Sequence, residues 1–225
     1  MQVSAGASPG LRLFARGASL GWTIIAASSN ATLSIFPLMS GLRFHFFSVI
    51  STAIGFIFCL WLNEHLFAHS EFVRGINWVY LPAGIRLLST LLLGADGAIG
   101  LLFANWAVNF FFLFPDNFVR AFVGGIIAAA APYAVYRLAQ ERYGLDASLA
   151  NLTPKRLLVL VFAYSVASPL LHHIWFALRG DTGHLVKDFC VMFIGDLSGS
   201  LIIVYALKGL LALTPRAKST HGRAD

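Results

Sequence analysis

Two charged residues interrupt long apolar stretches of this 225-residue sequence. Arg86 lies in the run Leu-Pro-Ala-Gly-Ile-Arg-Leu-Leu, and Asp196 lies in the run Phe-Ile-Gly-Asp-Leu-Ser-Gly. Charged side chains inside a membrane span are costly and usually functional, because lipid cannot solvate them. If both stretches span a membrane, they run inward from the same side, and we expect Arg86 and Asp196 at similar depth. These two residues are therefore the first candidates for a site.

Four further polar residues fall in neighbouring apolar stretches. Asn105 and Asn109 are four residues apart, so they share one face of a helix. His172 and His173 lie near the end of the penultimate stretch. We predict a polar ligand-binding pocket in which the two charged residues pair or share a ligand, while the amides and histidines supply hydrogen bonds.

A purely structural interpretation of the same residues stays open. In this alternative, Arg86 and Asp196 only neutralise one another. The asparagines and histidines then bridge helices through hydrogen bonds worth about 0.6 kcal/mol each. The sequence does not choose between a ligand site and this internal bridging.

Metal binding and catalysis are not expected. Adjacent residues on a helix point about 100° apart, so His172 and His173 are not placed to hold one ion. His65 and His69 are four residues apart, but no third ligand follows at a metal spacing. The sequence also lacks a nucleophile elbow, a phosphate-binding loop, an HExxH motif and paired acids. We therefore expect no metal, no cofactor and no enzymatic activity.

The composition indicates what must surround these residues. The chain is 58% hydrophobic and 12% charged, with a mean hydropathy of +0.75, whereas soluble domains carry about 25% charged residues. Lipid must therefore cover the surface. The net charge of +6 comes from scattered basic residues at segment ends, which is typical of membrane topology signals and not of a nucleic-acid patch. We expect no nucleic-acid partner.

The apolar stretches predict an all-α fold, a polytopic bundle of transmembrane helices. A span needs roughly 20 apolar residues, and six stretches approach that length: Phe46 to Leu62, Trp78 to Leu93, Ala98 to Leu113, Ala121 to Val135, Leu157 to Leu178, and Phe189 to Leu213. The more polar segment from Gly21 to Leu42 is either a seventh helix or a re-entrant or interfacial segment. The predicted organisation is a polar segment at 1–20, one helical domain at 21–213 and a basic tail at 214–225.

The distribution of basic residues predicts the orientation. The loop before the fifth stretch contains Arg137, Arg142, Lys155 and Arg156, and the tail contains Arg216, Lys218 and Arg223. Both regions are expected on the cytoplasmic side of a bacterial inner membrane, because basic loops stay inside. The C-terminus is then cytoplasmic, and the pocket faces the periplasm.

Small residues indicate where helices pack closely. Gly195 and Gly199 flank Asp196 with a four-residue spacing, and Gly124 and Gly125 begin a small-residue face on the fourth stretch. Such faces let backbones approach each other, within one chain or between protomers.

The run from Trp78 to Gly94, followed by a short turn and the run from Gly100 to Asn105, resembles the start of membrane-associated sensor (MASE-type) domains. Those domains are membrane-embedded sensory modules of bacterial signalling proteins. The matching motif positions are Pro82, Gly84, Gly94 and Asn105, and the run from Gly195 to Gly199 is similar to the Gly-Asp element of the family's final helix. Leu81 stands where the family has Trp, Arg86 stands at a normally apolar place, and no Pro follows the Gly-Asp element. The helices are also fewer than the family's usual eight.

The resemblance implies a sensory or ligand-binding module. About a dozen residues follow Leu213, so we expect no cyclase, kinase or phosphodiesterase domain there and signalling through a separate protein partner. Two other hypotheses stay open. The chain is a small solute transporter or the substrate-binding subunit of one, or it is a structural or assembly subunit of a larger membrane complex.

Overall fold

The computed structural model describes residues 41–180 and 183–213, which form six α-helices and one small hairpin. The helices are α1 (Gly41–Leu66), α2 (Pro82–Leu93), α3 (Ala95–Val108), α4 (Phe118–Arg142), α5 (Pro154–Leu178) and α6 (Leu185–Leu213). A π-helical turn, Asn109–Leu113, extends α3. Most of the sequence segment from Gly21 to Leu42 lies outside the described residues, so whether it spans stays a prediction.

Five of these helices are long and apolar enough to cross a membrane: α1, α3 with its π-helical turn, α4, α5 and α6. In the most apolar 18-residue segment of each of these helices, between 28% and 39% of the residues are buried inside the protein. The other residues of these segments are at least partly exposed on the outside, as expected for a bundle surrounded by lipid. The all-α prediction is confirmed at this level, and the described chain has the architecture of a multi-pass membrane protein.

The second predicted span differs from the prediction. The sequence pattern indicated an apolar stretch from Trp78, but the helix begins at Pro82 and contains 12 residues. At 1.5 Å per residue its length is about 18 Å, less than the roughly 30 Å of a bilayer core. Pro82 favours this start, because the amides of the first helical turn have no partner within the helix and a proline, which lacks the N–H, therefore loses no hydrogen bond there.

A two-stranded antiparallel hairpin connects α1 to α2. Strand β1 (Glu71–Val73) pairs with strand β2 (Ile76–Asn77). The turn between them contains Gly75 with a φ of 85°, a conformation that favours glycine. In the sequence this region lies between the apolar stretches that end at Leu62 and begin at Trp78, and no strand was predicted there.

The chain divides into two compact units, Met1–Phe47 and Ser48–Asp225. Only residues 41–47 of the first unit are described, and they form the first turns of α1. The second unit contains the rest of α1, the hairpin and α2 to α6. The predicted single domain at 21–213 stays a prediction.

Helix α2 lies at the centre of the second unit and packs against α3, α4, α5 and α6. Leu87 and Leu91 are buried in the main hydrophobic core together with Val135 of α4 and with Val161 and Tyr164 of α5. The helix ends at Gly94, whose φ of 57° and ψ of −125° favour glycine. Gly94 lies beside Tyr136, near the Arg142 end of α4.

The segment 78–81 precedes α2 and is not helical, although the Tyr80 and Leu81 carbonyls accept bonds from the Ala83 and Gly84 amides in the turn that starts α2. Several of its other backbone groups are paired by other elements. The Tyr80 amide donates to the Gly195 carbonyl over 3.1 Å, and the Leu81 amide donates to Asn63 Oδ1 over 2.9 Å. Ser198 Oγ donates to the Trp78 carbonyl over 3.2 Å. Non-helical backbone inside a membrane protein is tolerated when it is satisfied in this way.

Gly195 and Gly199 of α6 make room for this segment. A Cβ at Gly195 would overlap the carbonyl oxygen of Asn77, and a Cβ at Gly199 would overlap that of Tyr80. The two glycines therefore pack against backbone of the same chain. Their small-residue face lies inside the unit.

Substitution of Gly199 by Ala is expected to destabilise the protein. The added Cβ overlaps the Tyr80 carbonyl and has to displace backbone, at an expected cost of about 1–3 kcal/mol. Thermal unfolding of the purified protein in detergent measures this as a lower melting temperature. The matched control is Gly209→Ala on the same helix, where the new Cβ has no contact within 4 Å with any other part of the described chain. Equal melting temperatures for the two variants would contradict this packing.

Candidate functional site

A cavity of about 70 Å³ lies between the hairpin and helices α2 to α6. Its lining includes both charged residues singled out from the sequence and three of the four uncharged candidates: Arg86, Asp196, Asn105, Asn109 and His172. The hairpin, the start of α4 and the end of α5 also line it, so the cavity lies toward one end of the bundle. His173 is the candidate that does not line it.

Arg86 is buried and held by three elements. Its Nη2 donates to Asn105 Oδ1 over 2.6 Å and to the Tyr80 hydroxyl over 3.2 Å. The guanidinium carbon also lies 5.1 Å from the ring centroids of Phe56 and Tyr80. Cation–π contacts of this kind contribute about 2 kcal/mol when the cation is desolvated. Arg86 Nε has no hydrogen-bond partner among the described residues.

Asn105 presents its amide in a defined orientation. Its Nδ2 donates to the Leu101 carbonyl over 2.7 Å, one turn back on α3. The amide oxygen is therefore the atom directed at Arg86. Because Asn105 is 2% exposed, losing it would leave a buried guanidinium N–H without an acceptor.

Asp196 is 1% exposed, so its carboxylate is shielded from the surroundings of the protein. Within the described ranges, it forms no ion pair with Arg86 within 4.0 Å, and its Oδ2 accepts no hydrogen bond. The two charges are nevertheless near enough to interact electrostatically. The Ser168 hydroxyl lies near Asp196 and the Tyr164 hydroxyl lies near Arg86, but within the described chain neither contact has the geometry of a full hydrogen bond.

Asn109 occupies the first position of the π-helical turn that ends α3. Its Nδ2 donates to the Ala121 carbonyl of α4 over 3.0 Å. Gly124 lies beside the same amide and lines the cavity, while Gly125 lies against the Trp106 ring. These two glycines therefore let α4 approach α3 beside the site. Single π-helical turns occur frequently at functional sites.

The two histidines have different surroundings. His172 Nδ1 lies 2.9 Å from the Ser168 carbonyl, so it carries the proton, and Nε2 is left as an acceptor in the neutral ring. His173 Nδ1 contacts the Pro169 carbonyl at 2.7 Å, and its ring packs on Phe176 and Phe189. In residues 41–180 and 183–213, no group of three His, Cys, Asp or Glu side chains could hold a metal.

The outer end of the cavity is basic and aromatic. Arg120 at the start of α4 lies between two rings, with its guanidinium carbon 4.5 Å from the Phe114 centroid and 5.6 Å from the Phe176 centroid. Arg74 in the hairpin turn donates to the Phe112 carbonyl over 2.7 Å. Both arginines line the cavity. They give its mouth a positive potential that attracts anionic groups.

Several residues of the site and its support were not predicted from the sequence. Tyr80, which lines the cavity, and Asn63, which binds the Leu81 amide, lie at the ends of apolar stretches, where polar residues are ordinary. Arg74 and Arg120 lie in loops or at a helix start and carried no positional signal. Ser168, one turn before His172 on α5, was a detectable polar residue within an apolar stretch.

Comparisons with protein-family models, curated proteins and solved structures find no match to this chain. The resemblance to MASE-type domains therefore stays a prediction. The geometry of the cavity carries the functional argument.

A double-mutant cycle tests the pairing of Arg86 with Asn105. We expect Asn105→Leu to cost about 1–3 kcal/mol, because it leaves a buried charged donor unpaired. The double variant Arg86→Met with Asn105→Leu removes both partners and is expected to lose less than the sum of the two single variants. Unfolding free energies in detergent supply the comparison. Strictly additive losses would show that the two side chains are not coupled.

Proposed function

We propose that this chain forms a membrane-embedded sensory module that binds a small ligand in the cavity and signals through a protein partner. The observation that carries the proposal is the state of the two buried charges. Arg86 and Asp196 line one cavity, do not bond to each other, and each retains an atom without a partner. A buried charge left in this state is costly unless something else satisfies it.

The purely structural alternative explains this arrangement less well. If the two charges served only to neutralise one another, we would expect a direct ion pair, because buried charges in proteins are normally paired. Instead Arg86 binds the Asn105 amide and the Tyr80 hydroxyl. Asp196 is left facing the cavity without an acceptor bond at Oδ2. The unpaired arrangement favours a site that holds a ligand.

We propose a bacterial inner membrane with a cytoplasmic C-terminus and a periplasmic cavity. We also propose that the segment 78–81 and α2 cross the bilayer together, which makes six crossings, with residues 21–42 as a seventh candidate. Tyr80 pairs with Gly195 well inside α6, while Gly94 reaches the Arg142 end of α4. These contacts support a crossing that begins as paired extended chain and ends as a short helix.

A solute transporter is the second candidate, and the interrupted second crossing favours it. Transporters bind substrates near the membrane midplane beside broken helices whose ends face the ligand. Here α2 begins at Pro82, and both Tyr80 before it and Arg86 within it line the cavity. Uptake of labelled solutes into vesicles distinguishes a transporter from a sensor.

A pull-down in mild detergent tests the proposed sensory role. Tagged full-length chain is recovered from its native membrane, and mass spectrometry identifies bound proteins and retained small molecules. We expect a signalling enzyme and a retained small molecule. An energising ATPase would support the transporter instead, and a fixed-stoichiometry complex would support an assembly subunit. Recovery of the chain alone and empty would contradict the sensory proposal.

The same preparation tests the cavity residues. Arg86→Gln and Asp196→Asn are each expected to reduce the retained small molecule about tenfold or more, because charge-assisted hydrogen bonds are the strong ones. The matched control is Arg137→Gln, which removes an exposed arginine that pairs with Glu141 at 2.7 Å. Size-exclusion profiles check that each variant is folded. Unchanged ligand content in both cavity variants would exclude this cavity as the site.

Labelling of single cysteines tests the proposed orientation. In a background without Cys59 and Cys190, a membrane-impermeant maleimide should label His184→Cys in spheroplasts. It should label Ser148→Cys only after the membrane is opened. The reason is that the two positions lie at opposite ends of α5, before and after a 25-residue helix. The reverse labelling pattern would show that the chain has the opposite orientation in the membrane.

A further inference from the structure

The cavity contains opposite charges that are held apart. The Arg86 guanidinium is fixed on one side by Asn105 and Tyr80, and its Nε is left without a partner in the described chain. Asp196 is the residue after Gly195, and the Gly195 carbonyl accepts a hydrogen bond from the Tyr80 amide. Backbone pairing thus fixes the two charges relative to each other. A ligand that satisfies both must carry an anionic group and a cationic group.

The remaining lining is consistent with such a ligand. His172 and Asn109 line the cavity and add uncharged hydrogen-bonding groups, while the Asn105 amide is already bonded to Arg86 and to the Leu101 carbonyl. A simple anion would bind the arginines but would leave Asp196 unpaired beside a second negative charge. A simple cation would pair with Asp196 but would meet three arginines, namely Arg74, Arg86 and Arg120. A molecule that carries both charges avoids each of these penalties.

The size of the cavity is consistent with a small ligand. A cavity of about 10–15 Å³ is enough to hold one water molecule. The observed volume of about 70 Å³ is several times larger, so the cavity has room for several water molecules or for a small organic molecule in their place. Glycine, alanine and serine are small organic molecules that carry both charges.

We propose that the cavity binds a small zwitterion of the α-amino-acid class, with its carboxylate on Arg86 and its ammonium on Asp196. This inference rests on the proposed ligand-binding function and specifies its ligand. The arginines at the mouth attract the carboxylate end. Trp175 and Phe176 line the same cavity and supply apolar surface for a small side chain.

Binding measurements with a matched set of probes test the proposal. The full-length chain in nanodiscs is titrated by calorimetry with glycine, L-alanine, L-serine and L-aspartate. Glycolate supplies the carboxylate without the ammonium, ethanolamine supplies the ammonium without the carboxylate, and inorganic phosphate supplies a different anion. We expect at least one amino acid to bind about tenfold or more tightly than glycolate, ethanolamine and phosphate, because each of these lacks one charge-assisted contact.

Two variants assign the contacts. Asp196→Asn is expected to weaken amino-acid binding about tenfold or more while leaving glycolate binding unchanged or stronger. Arg86→Gln is expected to weaken both. Arg137→Gln should change neither, and circular dichroism checks that all three variants are folded. Because glycolate binding to Asp196→Asn is measured on the same sample, loss of the ammonium contact is distinguished from loss of the cavity.

Three outcomes would overturn the proposal. Binding of glycolate or phosphate as tightly as any amino acid would identify a simple anion site and would leave the ligand-binding function intact. Amino-acid binding that is insensitive to Asp196→Asn would place the ligand elsewhere. Absence of binding by all four amino acids would exclude this ligand class. The retained small molecules in the pull-down decide separately whether the cavity binds a ligand at all.

Discussion

The backbone of residues 78–81 sets the strongest constraint on this structure. Peptide groups that no helix pairs cannot be left open inside a membrane protein, because each would cost several kcal/mol. Asn63 and the Gly195 carbonyl supply the partners, and the missing side chains of Gly195 and Gly199 let α6 come close enough. The same approach brings Asp196 into the cavity that α2 lines with Arg86. The pairing of a short stretch of backbone thus determines where the two charges lie.

The two buried charges differ in the number of partners that surround them. Arg86 has an amide, a hydroxyl and two aromatic rings around it, which together replace much of the hydration that a guanidinium loses on burial. Asp196 has no comparable set of donors in the described chain. An arrangement that satisfied both would be more stable, and proteins commonly give up stability at sites that must bind something else. The asymmetry is therefore easier to explain by recognition than by packing.

Much of the fold, and less of the site, could be predicted from the sequence. Hydropathy located the apolar segments because lipid imposes a minimum length and a low charge. Polar side chains in such segments are costly to expose to lipid, so they were expected to lie together inside the bundle. Four of them do line one cavity: Arg86, Asn105, Asn109 and Asp196. The late start of α2, the hairpin and the role of Tyr80 could not be predicted, because they depend on contacts with residues more than a hundred positions away in α6. His172 and His173 were indistinguishable by composition, and only the packing of α5 separates them.

The π-helical turn at Asn109–Leu113 sets the direction of the side chains that follow it. A π-helical turn closes over one residue more than an α-helical turn, and each residue of a helix changes the side-chain direction by about 100°. Without the additional residue, the positions after the turn would lie on a different side of the helix. Leu113 and Phe114, which line the cavity, therefore owe their direction to the number of residues in this turn as well as to their own identity.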